Sequence, residues 1–144
     1  MDKIQEAADT LASGFNCAQS VFSAFSEDYG LPRETALKIA GGLGGGVRCG
    51  ELCGAVSGGA LVVGLHSGQD KPGDIQAKEQ CNQETTEFVC KFREKNGSCV
   101  CRDLLGMDIS VGDNRMKAKE LNLFNTVCVG LIKSAVEILE DMGY

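Results

Sequence analysis

The chain lacks most of the residues and motifs that mark common functional sites. Among its 144 residues there is no tryptophan, and there are only two prolines, two tyrosines and one histidine. A serine nucleophile therefore has no obvious histidine partner. No Cys-x-x-Cys pair occurs, which argues against a thioredoxin-type site, and no Cys-x-x-Cys-His, which excludes covalently attached haem. Positive charge is also scarce. Fourteen Lys and Arg face twenty Asp and Glu, for a net charge of -6, so the chain is a poor neutraliser of phosphates and nucleic acid is not an expected partner. Lys117 and Lys119 have acids nearby and read as a solvated helix face. The longest apolar run, Leu52 to Leu65, is about 14 residues and is broken by Ser57 and four glycines. A spanning helix needs roughly 20 apolar residues, so this run is expected inside protein and no membrane is expected as a partner. The first residues, Met1-Asp2-Lys3-Ile4-Gln5-Glu6, hold no apolar h-region, and a cytoplasmic location is the expectation.

What remains is apolar, glycine-rich and rich in cysteine. Hydrophobic residues make up 43% of the chain, which is enough for one globular core, and the length suits a single domain over 1–144. Ile4, Ala8, Leu11 and Phe15 recur at helical spacing, and Cys17, Val21, Ala24 and Phe25 continue the pattern to about Tyr29. Pro32 suits the first turn of a third helix, through about Ala40. A buried helix is expected from about Cys49 to Leu65, with a buried strand as the competing reading. Asp74 can cap a long helix to about Lys95, which Asn96-Gly97 then ends. Leu121, Phe124, Cys128, Leu131, Ala135, Ile138 and Met142 predict a last helix from about Arg115 to Met142. No segment alternates as a strand would. The expected fold is all-α, a compact bundle of five to six helices with a Gly-rich loop.

That loop, Gly41-Gly42-Leu43-Gly44-Gly45-Gly46, invites a phosphate-binding reading and fails it. Gly46 is followed by Val47-Arg48 rather than Lys-Ser or Lys-Thr, and Val47 stands where a dinucleotide fingerprint needs its third glycine.

Eight cysteines carry the chemistry: Cys17, Cys49, Cys53, Cys81, Cys90, Cys99, Cys101 and Cys128. In a reducing compartment such enrichment points to metal ligation or reversible redox chemistry rather than structural disulfides. Cysteine as a small core residue is the plainer reading. Cys49 and Cys53 would share a face if the helix has already begun, near its N-terminus and beside Arg48, where the thiolate is favoured. Of Cys99 and Cys101, one is expected to be presented to a site elsewhere. Cys17 and Cys128 taken alone read as core residues. Cys81 and Cys90 lie in the most charged helix and read as incidental, and His66 reads as polar surface.

Cys53-Gly54-Ala55-Val56-Ser57-Gly58 changes these odds. With Asn16-Cys17-Ala18-Gln19-Ser20-Val21, Cys101-Arg102-Asp103-Leu104-Leu105-Gly106 and Cys128-Val129-Gly130, the chain resembles the C_GCAxxG_C_C family of redox-active proteins over nearly its whole length. The resemblance implies that Cys17, Cys53, Cys101 and Cys128 are the redox-active cysteines, and that Cys49, Cys81, Cys90 and Cys99 are extras. A similar domain accompanies an iron–sulfur centre in split-Soret cytochromes, whose haem part is not matched here. Four thiolates converging in a bundle suit Zn(II) or an iron–sulfur cluster.

The leading expectation is thus a small redox protein that binds an iron–sulfur cluster through these four cysteines and transfers electrons with a redox partner protein. One rival is a thiol–disulfide protein with Cys53 as the attacking thiolate and Cys17, Cys101 or Cys128 resolving. The other is a helical scaffold with inert core cysteines. A homodimer is expected, with the Gly/Ala-rich helix as its candidate surface.

Overall fold

The computed structural model describes residues 2–144. The fold is all-α, as expected, and among the described residues no strand is present beyond one isolated antiparallel bridge, Leu52 to Val100. Helix α1 (Lys3–Ala12) is capped by the Asp2 carboxylate, which accepts from the Gln5 N–H. Helix α2 (Cys17–Ser26) runs into a short 3₁₀ turn that Gly30 ends in the left-handed conformation. Helix α3 (Arg33–Ile39) follows Pro32. Helix α4 (Gly54–Ser67) is the Gly/Ala-rich segment, and α5 (Ile75–Asn96) is capped by Asp74 and closed by Gly97. The short α6 (Cys101–Leu105) and α7 (Asn114–Glu120) precede α8 (Val129–Asp141). These two short helices lift the count above the five or six expected.

Two boundaries differ from the sequence reading, and both bear on the cysteines. The buried helix begins at Gly54 rather than near Cys49. Gly45, Gly46, Val47 and Arg48 have φ of 63°, 63°, 57° and 60°, a single turn of left-handed helix that leaves Cys49 exposed outside α4. The last helix is not continuous from Arg115. It bends by 71° between Glu120 and Phe124, where Asn122 takes φ 60°. Asparagine tolerates that conformation better than most residues.

Helix α2 lies at the centre, with Val21, Phe22 and Phe25 packed against Val56, Val62 and Val63 of α4 and Ile132, Val136 and Leu139 of α8. Phe88 and Phe92 of α5 close the far side. Each such side chain contributes about 1.5–3 kcal/mol of burial. A second, smaller cluster joins Cys101, Leu105, Ile109, Ala118 and Cys128. Cys53 belongs to the main cluster, while Cys17 packs against both. No helix among the described residues is long and apolar enough by itself to cross a membrane.

Candidate functional site

Cys17 is placed by a cap. The Asn16 side chain accepts from the Gln19 N–H and the Gln19 side chain accepts from the Asn16 N–H, both at 2.8 Å, which closes a capping box at the start of α2. The same two amides reach across to the end of α3. Asn16 donates to the Gly41 carbonyl at 3.2 Å and Gln19 to the Leu37 carbonyl at 2.9 Å. Cys17 therefore occupies the first position of α2, tied to the glycine loop.

Cys53 is brought against Cys17 by glycine. A Cβ on Gly54 would stand 2.9 Å from both the Ala18 nitrogen and the Cys17 Cβ, and one on Gly58 would stand 2.6 Å from the Ala18 carbonyl oxygen. Only glycine at these two positions lets the backbones of α2 and α4 meet so closely. This is the physical content of the Cys-Gly-Ala-x-x-Gly segment.

Cys101 is set beside Cys53 by the isolated bridge. The Cys53 N–H donates to the Cys99 carbonyl at 2.7 Å, and the Cys101 N–H donates to the Glu51 carbonyl at 2.6 Å. Arg102 locks the outside of this pairing through the Gly50 carbonyl and the Glu51 carboxylate. Cys128 arrives from the fourth direction, at the end of a wide helical turn, Phe124–Cys128, that leads into α8. Such wide turns rotate side chains out of the regular helical register.

All four cysteines line one cavity of about 430 Å³. Its walls are largely apolar, with Leu11, Leu104, Leu105, Ile109 and Leu131 among them. Cys49, Cys81, Cys90 and Cys99 do not line it, and neither does His66, which sits between the rings of Tyr29 and Tyr144. All eight cysteines are free thiols. No three Cys, His, Asp or Glu side chains among the described residues are placed to hold a single metal ion.

The cavity sets the protonation of its thiols. The helix start does not make Cys53 a thiolate, contrary to the sequence reading. Burial pushes it up to about 12, although the N–H groups of Ala55 and Val56 pull the other way. Burial, then Cys128 and Asp108, push Cys101 up to about 11. Cys17 and Cys128 lie close enough to shift each other. The Cys128 thiol and then burial hold Cys17 well above the ordinary thiol value, while the Cys17 thiol lowers Cys128 against burial.

Arg48, read from the sequence as a charge beside Cys49, lines the cavity, as does Arg115, which the sequence marks only as the start of a long helix. The bend that turns Arg115 to the cavity is a tertiary feature, and the left-handed turn that carries Arg48 passes through Val47, a β-branched residue that no local rule would place there.

The profile of the family described as "Putative redox-active protein (C_GCAxxG_C_C)" matches residues 15–142. No curated protein and no solved structure matches the chain.

Proposed function

The chain belongs to that redox-active family, and we propose that Cys17, Cys53, Cys101 and Cys128 are the ligands of an iron–sulfur cluster through which it exchanges electrons with a partner protein. The observation that carries this reading is the meeting of four thiols, from four separate elements, on one apolar cavity that still has room inside it. Four soft thiolate donors suit iron and sulfide. A single tetrahedral ion at about 2.3 Å from each sulfur would draw all four to within roughly 3.8 Å of one another, and no three Cys, His, Asp or Glu side chains among the described residues are grouped to hold one ion. A cluster would accept more widely set sulfurs from Cys17, Cys53, Cys101 and Cys128. When bound it supplies a one-electron couple.

The chain's own part is to present the sulfurs, exclude water and release protons. With Cys53 and Cys101 protonated at neutral pH, ligation displaces their protons to solvent, so loading is favoured by rising pH. The apolar walls leave the sulfurs few competing hydrogen bonds.

The contact between Cys17 and Cys128 favours a second reading, a dithiol couple. The Cys128 thiolate would attack a partner disulfide and release one partner thiolate. Cys17, after losing its proton, would then displace the other, leaving a Cys17–Cys128 disulfide and a reduced partner. Cys53, pushed up to about 12, is a poor attacking group in this scheme.

Anaerobic purification with a visible spectrum and assays for iron and sulfide tests both. Brown protein holding iron and sulfide, lost in Cys53→Ala, is the expected result. Colourless protein that gains a Cys17–Cys128 disulfide on mild oxidation would replace it with the dithiol couple. Metal-free protein whose four cavity thiols stay inert until unfolding would refute both.

A further inference from the structure

The cavity is charged in a way that its cysteines do not require. The chain as a whole is acidic, at -6, yet no Asp or Glu lines the cavity, and its only charged lining residues are Arg48 and Arg115. Both are exposed, and neither forms an ion pair with an acid among the described residues. The arginines around them are committed. Arg102 pairs with Glu51, and Arg33 donates to Thr10 while lying against the Phe15 ring. Asp108 lies outside the lining, and its Oδ1 accepts from the Ser110 N–H and hydroxyl.

Arg48 is also held there at a cost. A left-handed helical conformation costs about 1–2 kcal/mol for each non-glycine residue, and Val47 and Arg48 both adopt it. The turn folds the arginine back so that its Nη1 would lie 3.9 Å from a Cβ on Gly45, itself a cavity residue. Strain of this kind persists where the surrounding structure imposes it, and it gathers at functional sites.

We infer that the mouth of the cavity binds a small oxyanion, a carboxylate or phosphate group, gripped between Arg48 and Arg115. Guanidinium groups suit both anions because their paired N–H donors match two oxygens at once. The volume of about 430 Å³ falls in the range of small-molecule pockets. The binding stands on the arginines. That the anion is the electron donor or acceptor of the cysteine centre rests on the reading of that centre given above.

Calorimetric titration of the anaerobically purified protein tests the inference, with inorganic phosphate and succinate as separate probes in a chloride buffer. At least one probe is expected to bind saturably at one site per chain, and which one separates phosphate from carboxylate. Arg48→Gln and Arg115→Gln should each weaken it by about tenfold or more, while Lys78→Gln on α5 should not. Iron is assayed on every sample. Iron retained with no saturable binding of either probe, or binding unchanged in both arginine variants, overturns the anion site and leaves the cluster standing. Arginine-dependent binding by iron-free protein upholds the anion site and removes the cluster. Iron lost from both arginine variants, with no probe bound by the parent protein, assigns the arginines to the centre itself and also overturns the inference.

Discussion

Replacing Gly58 by alanine tests whether close helix contact builds the site. Alanine in the interior of a helix is normally stabilising by about 1 kcal/mol relative to glycine. At Gly58 the new Cβ would stand 2.6 Å from the Ala18 carbonyl oxygen, 2.9 Å from the Ala18 Cα and 3.2 Å from its carbonyl carbon. All three are backbone atoms of α2, so no side chain can turn away and the two helices must separate. Overpacking of this kind costs about 1–3 kcal/mol, which cancels the propensity gain and leaves a net loss of up to about 2 kcal/mol. Gly64 lies in the same helix, is exposed, and has nothing within 4 Å of a built Cβ, so Gly64→Ala should show the unopposed gain of about 1 kcal/mol. Urea unfolding followed by far-UV circular dichroism should therefore separate the two variants by roughly 1–3 kcal/mol. Cys53 begins the turn that Gly58 anchors, so Gly58→Ala should also reduce bound iron while Gly64→Ala leaves it unchanged. Equal stability in the two variants would show that the approach of α4 to α2 is not tight, and the account of how Cys53 reaches Cys17 would fall.

Cys53→Ala and Cys101→Ala should each abolish bound iron or redox cycling, whereas Cys81→Ala and Cys90→Ala, off the cavity, should change neither; metal analysis of the four variants checks this. In metal-free, reduced protein, iodoacetamide mapping by mass spectrometry at pH 8 should label the exposed Cys49 and Cys90 first. Cys53 and Cys101 should resist until the pH approaches their raised values of about 12 and 11. The same shifts give a sign for stability. Between the ordinary thiol value of 9.0 and those raised values the unfolded chain has lost these protons and the folded chain keeps them, so the folded state binds more protons and stability falls as pH rises. Denaturation of the metal-free protein should show a decline above about pH 9 that flattens in Cys53→Ala. Val47→Gly should raise stability by up to about 1 kcal/mol, because it removes left-handed strain of about 1–2 kcal/mol at a half-exposed position and gives back part of that as unfolded-chain entropy; a thermal melt showing destabilisation would refute the strain.

Much of the fold was legible because its signals are local. Asp74 and Gly97 bracket α5, Pro32 precedes α3, and the apolar spacing of α8 shows which face meets the core. The cavity was legible only through the family motif. Cys17 and Cys128 look like core residues by periodicity, and their meeting depends on the 71° bend at Asn122, a position with no proline or glycine to announce it. Cys99 and Cys101 are near-equivalent in sequence. The bridge from Leu52 to Val100 decides between them, and Cys101 alone lines the cavity. The protonation of Cys53 went the other way from the local argument, because desolvation acts on the whole buried thiol while the helix start contributes only two N–H groups.

The burial of these thiols also bears on which chemistry they can do. A thiol that attacks disulfides works best with a pKa near ambient pH and open access, and Cys53 and Cys101 have neither. A ligand has no such need, since metal binding itself drives off the proton and the coordinated sulfur gains from a dry surround. In the dithiol scheme only Cys17 and Cys128 are used and the raised values of the other two have no purpose. In the cluster scheme all four thiols have a role, which is the stronger ground for preferring it.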